Sequence, residues 1–297
     1  MRAPAFDAPR IASEEVVDGR IERILGAAEG EGETLAMTVW PATAAPKGAI
    51  LAVHGYGDYG PSTFAEAARE WRAAGLSVYA YDQRGFGRNP SRGVWPGAVR
   101  LIEDLAEVYA MVAAEAGTAP VTVVGHSMGG AVVAAALGQG RIAPARAILL
   151  APALWGGPHL GFGYRALAGV TTALLPDKRW SGKGVVRIQA TDNIEALRAL
   201  ARDPLYLRRP SAREFSGLIA LMDTAVESAP ALTTPTLVMY GAKDEVVPEQ
   251  PLRDTTALFA GDKEFRRIDT GWHLLLRDLE GQKVRDAVAA FALGAPG

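Results

Sequence analysis

Val121-Thr122-Val123-Val124-Gly125-His126-Ser127-Met128-Gly129-Gly130 decides the fold. A run of β-branched residues leads straight into Gly-x-Ser-x-Gly, and an alanine-rich segment follows. The pattern predicts a buried strand, a sharp turn and a helix, with Ser127 at the apex. Such a turn holds its serine in a strained backbone, and it predicts that a Cβ at Gly125 or Gly129 collides across it. The hydroxyl is lifted clear of the sheet. The Met128 N–H then lies at a helix N-terminus, where a developing oxyanion is stabilised.

Outward from this turn, strand-like and helix-like runs alternate. Ile21–Leu25 and Thr34–Trp40 read as an opening antiparallel pair. Ala49–Val53, Leu76–Tyr81, Val121–Val124, Ala147–Leu150, Thr236–Tyr240 and Phe265–Ile268 are mostly apolar, as strands buried on both faces are. Helical runs separate them at Thr63–Ala74, Val99–Ala116, Met128–Leu137, Pro251–Ala260 and Leu279–Leu293. The alternation predicts an α/β fold built on a mostly parallel, doubly wound sheet, with ligands bound beyond the carboxyl ends of its strands.

One interval breaks the rhythm. Residues 153–230 hold no convincing strand yet are rich in Trp, Leu, Tyr and Phe. A structureless loop of that length is uncommon in a compact domain. The expectation is a helical cap over 153–230, inserted into a core formed by 1–152 and 231–297.

Composition narrows the function classes. The chain has 297 residues, 49% hydrophobic and 22% charged, enough to bury a large core. A net charge of −2 gives no sign of a nucleic-acid partner. Without cysteine there is neither a disulfide nor a thiolate metal site. No stretch reaches the length of a spanning helix, and the first residues lack a signal-peptide core, so a cytoplasmic location is expected. No metal, calcium or phosphate-loop motif occurs, and Gly85-Phe86-Gly87 reads as a turn and not a dinucleotide fingerprint. No cofactor is expected.

A serine needs a base to act as a nucleophile. Of the histidines, His126 adjoins the nucleophile but points away from it, His54 braces a glycine-rich loop, and His159 belongs to the cap. His273 follows the last strand, in Asp269-Thr270-Gly271-Trp272-His273, and alone has the chain position a base requires. The acid that orients it falls in Tyr240-Gly241-Ala242-Lys243-Asp244-Glu245, just past a strand. Asp244 is the better candidate, and spacing alone does not separate it from Glu245. Asp82 reads as a turn anchor; Asp269 and Asp278 read as turn or surface residues.

The order Ser127, Asp244, His273 is that of one fold. The chain resembles the α/β-hydrolase superfamily and, within it, the monoacylglycerol lipase and lysophospholipase-like group. The matching pieces are His54-Gly55-Tyr56-Gly57, Tyr81-Asp82-Gln83-Arg84-Gly85-Phe86-Gly87, the Ser127 turn, Gly241-Ala242-Lys243-Asp244 and Gly271-Trp272-His273. The resemblance implies Ser127 as nucleophile, His273 as base and Asp244 as acid, with the Tyr56 and Met128 N–H groups as oxyanion hole. Tyr56 stands where that group often has a small residue, which implies a different pocket mouth.

The implied activity is hydrolysis of carboxylic esters, of monoacylglycerol or lysophospholipid type, with small-ester carboxylesterase as the alternative. Dehalogenases and epoxide hydrolases of this fold use an aspartate where Ser127 stands. Perhydrolases and C–C hydrolases keep the serine. A proline iminopeptidase needs an amine-binding acidic pair that the cap does not clearly supply, and a non-catalytic receptor needs no complete triad.

For the substrate, Ala153–Pro176 carries Arg165 as its only formal charge, and Phe162, Ala166, Val170 and Leu174 recur at helical spacing. Trp155, His159, Phe162 and Leu167 are the candidate substrate-binding residues, and the stripe either lines an acyl pocket or packs on the sheet. The interval 153–230 holds ten Lys and Arg against seven Asp and Glu, an excess compatible with weak peripheral contact at an anionic lipid surface or with a solvated face.

Overall fold

The computed structural model describes residues 10–26, 33–159, 161, 169–179 and 188–295. Its strands are β1 (Arg10–Val17), β2 (Arg20–Gly26), β3 (Leu35–Trp40), β4 (Gly48–Val53), β5 (Leu76–Tyr81), β6 (Val121–His126), β7 (Arg146–Leu150), β8 (Thr236–Gly241) and β9 (Lys263–Ile268). They form one sheet in the order β1-β2-β3-β5-β4-β6-β7-β8-β9. The ladder is antiparallel from β1 to β5 and parallel from β5 onward. β1, at the edge, was not anticipated. Its residues are almost all exposed, so it carries no buried-face alternation to read.

The central strands are apolar because both their faces are covered. Alternate residues divide between two cores: Leu51, Val53, Val123, Leu149 and Val238 on one side, Ile50, Ala52, Val124, Ile148 and Leu237 on the other. The helices are α1 (Gly60–Ala73), α2 (Ala98–Ala116), α3 (Met128–Gly138), α4 (Ile194–Arg202), α5 (Ala212–Ser228), α6 (Glu249–Ala257) and α7 (Gly281–Ala292). α2, α3, α5 and α6 pack into the first core, through Leu105, Val132, Met222 and Leu252 among others. α1 and α7 close the second, with Phe64, Trp71, Val284 and Val288.

α3 is buried from Met128 to Leu137, since it sits between the sheet, α2 and α5. A helix enclosed on all sides is apolar all round, and its Met-Gly-Gly-Ala-Val-Val-Ala-Ala-Ala-Leu sequence is that case.

The interval 153–230 is not uniform. The C-terminal half of α5, with Ile219, Leu221, Met222 and Ala225, is buried against α3 in the main core. Residues 188–214 instead bond to loops at the carboxyl ends of the strands: Leu207 N–H donates to Gly57 O, Leu274 N–H to Ala190 O, and Gln189 N–H to the Glu245 carboxylate. Residues 169–174 are helical, and Val170 and Leu174 are 57% and 73% exposed, so the described half of the apolar stripe does not pack on the sheet. Phe162, Ala166 and Leu167 lie outside the described residues. No helix among the described residues is long and apolar enough to cross a membrane.

Candidate active site

Ser127 sits between β6 and α3 with φ 52° and ψ −117°, a left-handed φ that a non-glycine residue adopts only under external constraint. The constraint is visible in the glycines around it. A Cβ on Gly125 would lie 2.7 Å from the Gly129 carbonyl oxygen, across the turn as expected. A Cβ on Gly129 instead strikes the end of β4, at Val53 O and His54 O. Gly129 is therefore required by the neighbouring strand and not by the turn itself. Gly55 approaches from the same side, its absent Cβ only 3.2 Å from Ser127 Cβ.

The structure brings Ser127, His273 and Asp244 together. His273 Nε2 lies 3.0 Å from Ser127 Oγ, and His273 Nδ1 lies 2.8 Å from Asp244 Oδ2. The Asp244 side chain is fully enclosed and its other oxygen accepts the Val246 and Val247 N–H groups at 2.7 and 3.0 Å. Those bonds point the carboxylate at the imidazole. Glu245 is turned away, accepting the Gln189 N–H at 2.7 Å.

The loops carrying the acid and the imidazole are zipped together. Lys243 N–H donates to Gly271 O at 2.9 Å and Ala242 N–H to Ile268 O at 2.9 Å. A Cβ at Gly241 would meet the Gly271 carbonyl carbon and oxygen at 2.6 Å, so glycine is needed for this close approach. Asp278 is buried and braces the same loop, accepting from Trp272 N–H at 2.7 Å and from the Thr191 hydroxyl at 2.6 Å. Burial raises its pKa above the ordinary carboxylate value against the pull of those donors. Asp269 is exposed beside Arg267.

His126 does not face the serine. Its Nε2–H donates to the His273 carbonyl at 3.1 Å, and burial together with the neighbouring His273 lowers its pKa to about 3. His54 is fully buried and neutral: Nδ1–H donates to Gly55 O at 2.8 Å while Nε2 accepts the Gln83 N–H at 2.8 Å. This bracing joins the β4 loop to the β5 loop. Asp82 anchors the latter, accepting from Gly60 N–H at 3.0 Å and from the Arg88 N–H and guanidinium at 2.9 Å.

The N–H groups of Tyr56 and Met128 have no hydrogen-bond partner among the described residues. Met128 opens α3, where the helix dipole adds to its donor strength. Trp155 is half-buried against the main core, two residues beyond Ala153, whose N–H donates to Ser127 O at 2.9 Å. His159 is exposed at the end of the 3₁₀ turn Gly157–His159. Phe162 and Leu167 lie outside the described residues. A cleft of about 220 Å³ between α1 and α4 adjoins the Asp58–Arg277 pair, and its lining includes neither Ser127 nor His273. No group of His, Asp and Glu suited to a metal occurs among the described residues.

Glu214 was missed by the sequence reading. It accepts the Tyr56 hydroxyl at 2.7 Å from the first turn of α5. Its signal was present: Ser211-Ala212-Arg213-Glu214 ahead of an apolar helix is a capping box, and the structure forms it.

A serine hydrogen-bonded to an imidazole, itself bonded to a buried carboxylate, beside two unpartnered N–H groups, has the parts for nucleophilic acyl transfer. Comparison with known proteins places the chain among ester hydrolases. A monoacylglycerol lipase from Mycolicibacterium smegmatis is 28% identical over 273 residues, covering 88% of this chain and 93% of the relative. The human monoglyceride lipase is 24% identical over 252 residues, covering 84% of this chain and 82% of the relative. The crystal structure of the Paleococcus ferrophilus monoacylglycerol lipase shares the fold with a TM-score of 0.73 at 22% identity, over 88% of this chain and 98% of that one. The family model described as serine aminopeptidase, S33 (Hydrolase_4) matches residues 44–280, and this chain belongs to that family of α/β hydrolases.

Proposed function

We propose that this chain hydrolyses carboxylic esters of monoacyl lipids, monoacylglycerol or lysophospholipid in type, through an acyl-enzyme on Ser127. The observation that carries the reading is His273 spanning Ser127 Oγ and Asp244 Oδ2 at 3.0 and 2.8 Å. In this mechanism His273 Nε2 takes the Ser127 proton as Oγ attacks the ester carbonyl. Asp244 holds the imidazole in the tautomer with Nδ1 protonated and stabilises the imidazolium. The Tyr56 and Met128 N–H groups receive the oxyanion, and His273 returns its proton to the leaving alcohol. Water, deprotonated by His273, then attacks the acyl carbonyl, and His273 returns that proton to the departing Ser127 Oγ, releasing the acid and the free hydroxyl.

The lipid part of the reading rests on the relatives named monoacylglycerol and monoglyceride lipase. We infer a helical cap over residues 153–230 whose last helix is anchored in the core. Its exposed Val170, Leu174 and Ile188, at 57%, 73% and 54%, support weak contact with a lipid surface.

The test is a series of p-nitrophenyl esters from two to sixteen carbons beside monoacylglycerols, lysophospholipids and aminoacyl naphthylamides, with fluorophosphonate labelling. Expected are labelling at Ser127, kcat/KM rising from acetate towards medium chains, and Ser127→Ala activity lower by about 10⁵-fold or more. A steady preference for acetyl esters would select the small-ester carboxylesterase. Turnover of the naphthylamides alone would replace esters with peptides, and an active, folded Ser127→Ala protein would remove the nucleophile assignment.

A further inference from the structure

Gly55 and Gly57 flank Tyr56, and Gly57 has φ +78°. The Gly55–Tyr56 peptide that carries this N–H is held at its carbonyl by His54 Nδ1–H, which donates to Gly55 O at 2.8 Å, while Gly57 leaves the following backbone permissive. The Tyr56 side chain adds a second hold. Tyr56 Oη donates to Glu214 Oε2 at 2.7 Å, and its ring meets Phe86 edge-on with centroids 5.3 Å apart. Glu214 is 3% exposed and fully committed: Oε2 also accepts the Ser211 N–H at 2.7 Å, and Oε1 faces Arg179 Nη2 at 3.2 Å. Arg179 is held in turn by the carbonyls of Gly93 and Arg209, both at 2.8 Å.

Two further bonds join the same pair of segments. Leu207 N–H donates to Gly57 O at 2.8 Å, and Tyr59 Oη donates to Asp203 Oδ2 at 2.8 Å. Residues 56–59 are thus held by 203–214 at three points along their length. Burial and the adjoining Glu214 raise the Tyr56 hydroxyl pKa, so the group remains a donor throughout the working pH range.

We propose that Tyr56 is a positioning residue whose side-chain bond to Glu214 aims its own backbone N–H at the oxyanion, so that docking of the α5 N-terminus and assembly of the oxyanion hole are one event. The inference rests on the catalytic reading above. Oxyanion donors act through preorganisation, and small displacements remove much of their effect. Segment 203–214 therefore controls catalysis without touching the reacting atoms.

Tyr56→Phe tests this, because it keeps the N–H and the ring and removes only the tether. Glu214→Ala removes the acceptor, and Glu214→Gln restores one, since a glutamine oxygen accepts the phenol and also serves a capping box. The measurements are kcat and KM on a soluble ester, the fluorophosphonate labelling rate, inhibition by an alkyl trifluoromethyl ketone, and Tm. For Tyr56→Phe, kcat and ketone affinity fall together by about tenfold, while KM changes by less than about twofold. Glu214→Gln keeps most of the activity that Glu214→Ala loses.

Wild-type kcat and ketone affinity in Tyr56→Phe would overturn the proposal, as would a loss confined to Tm or KM, which marks a structural tie. Failure of the ester reading appears in the wild-type protein, as inertness to esters and to the probe. Failure of this inference appears only in the variants.

Discussion

His126 donates from Nε2 to the backbone carbonyl of His273 at 3.1 Å, so the residue next to the nucleophile holds the base by its main chain. The ring is buried, and its Nδ1 has no hydrogen-bond partner. Protonation there would enclose a charge with a donor and no acceptor, which is the physical content of a pKa lowered from 6.5 to about 3.

Stability is accordingly expected to fall with acid. Between pH 6.5 and about 3 the unfolded chain carries a proton on His126 that the folded chain does not. The contribution of this neutral ring is complete above pH 6.5 and is lost progressively as pH falls towards 3. His54, lowered by burial, acts in the same direction. Urea midpoints measured at neutral and mildly acid pH should decline, and His126→Gln should show a shallower decline. An equal slope in the variant would assign the effect elsewhere.

Asp244→Asn is expected to lower kcat by about 10³- to 10⁴-fold with KM near wild type, because Asp244 acts on the imidazole and not on the ester. Glu245→Gln, whose parent carboxylate bonds to Gln189 N–H, should stay within about threefold. Kinetics of the two variants side by side decide the matter. The reverse ranking would move the acid by one residue.

Gly129→Ala sets two effects in opposition. Alanine is favoured over glycine in a helix by about 1 kcal/mol. The new Cβ, however, meets Val53 O and lies 2.5 Å from His54 O, and backbone displacement of this kind costs about 1–3 kcal/mol or more. Net destabilisation and slower fluorophosphonate labelling are expected. Gly169→Ala, where a Cβ meets nothing within 4 Å, is the matched control and should be neutral or slightly stabilising.

Leu174, 73% exposed, is expected to matter only at a lipid surface. Leu174→Ser should weaken binding to anionic vesicles and lower turnover of a long-chain monoacylglycerol presented in them by about three- to tenfold. Turnover of a monomeric short ester should be unchanged. Equal losses on both substrates would place the residue in the fold or the pocket instead of the surface contact.

How much of this was legible in the chain depends on the range of the interactions involved. β6, the Ser127 turn and α3 were readable because strand pattern, glycine spacing and the alanine-rich run lie within a few residues of one another. The double-sided burial of β4, β6 and β8 was readable too, since strands covered on both faces must be apolar on both. β1 was not, because an exposed edge strand is specified by pairing with β2 and leaves no pattern of burial.

The sequence by itself determined the nucleophile turn and the alternation of core strands and helices from β2 onward, which follow from local sterics and hydrophobic periodicity. It narrowed the acid to two adjacent carboxylates and made Asp244 the better candidate, though spacing did not separate it from Glu245. Only the tertiary structure chose between them, by zipping the Gly241 and Gly271 loops so that the Asp244 carboxylate faces His273. It likewise joined Tyr56 to Glu214, residues 158 positions apart whose hydrogen bond exists only once the chain is packed. Spacing encodes what neighbours along the chain do to each other; which loops meet is set by the whole sheet.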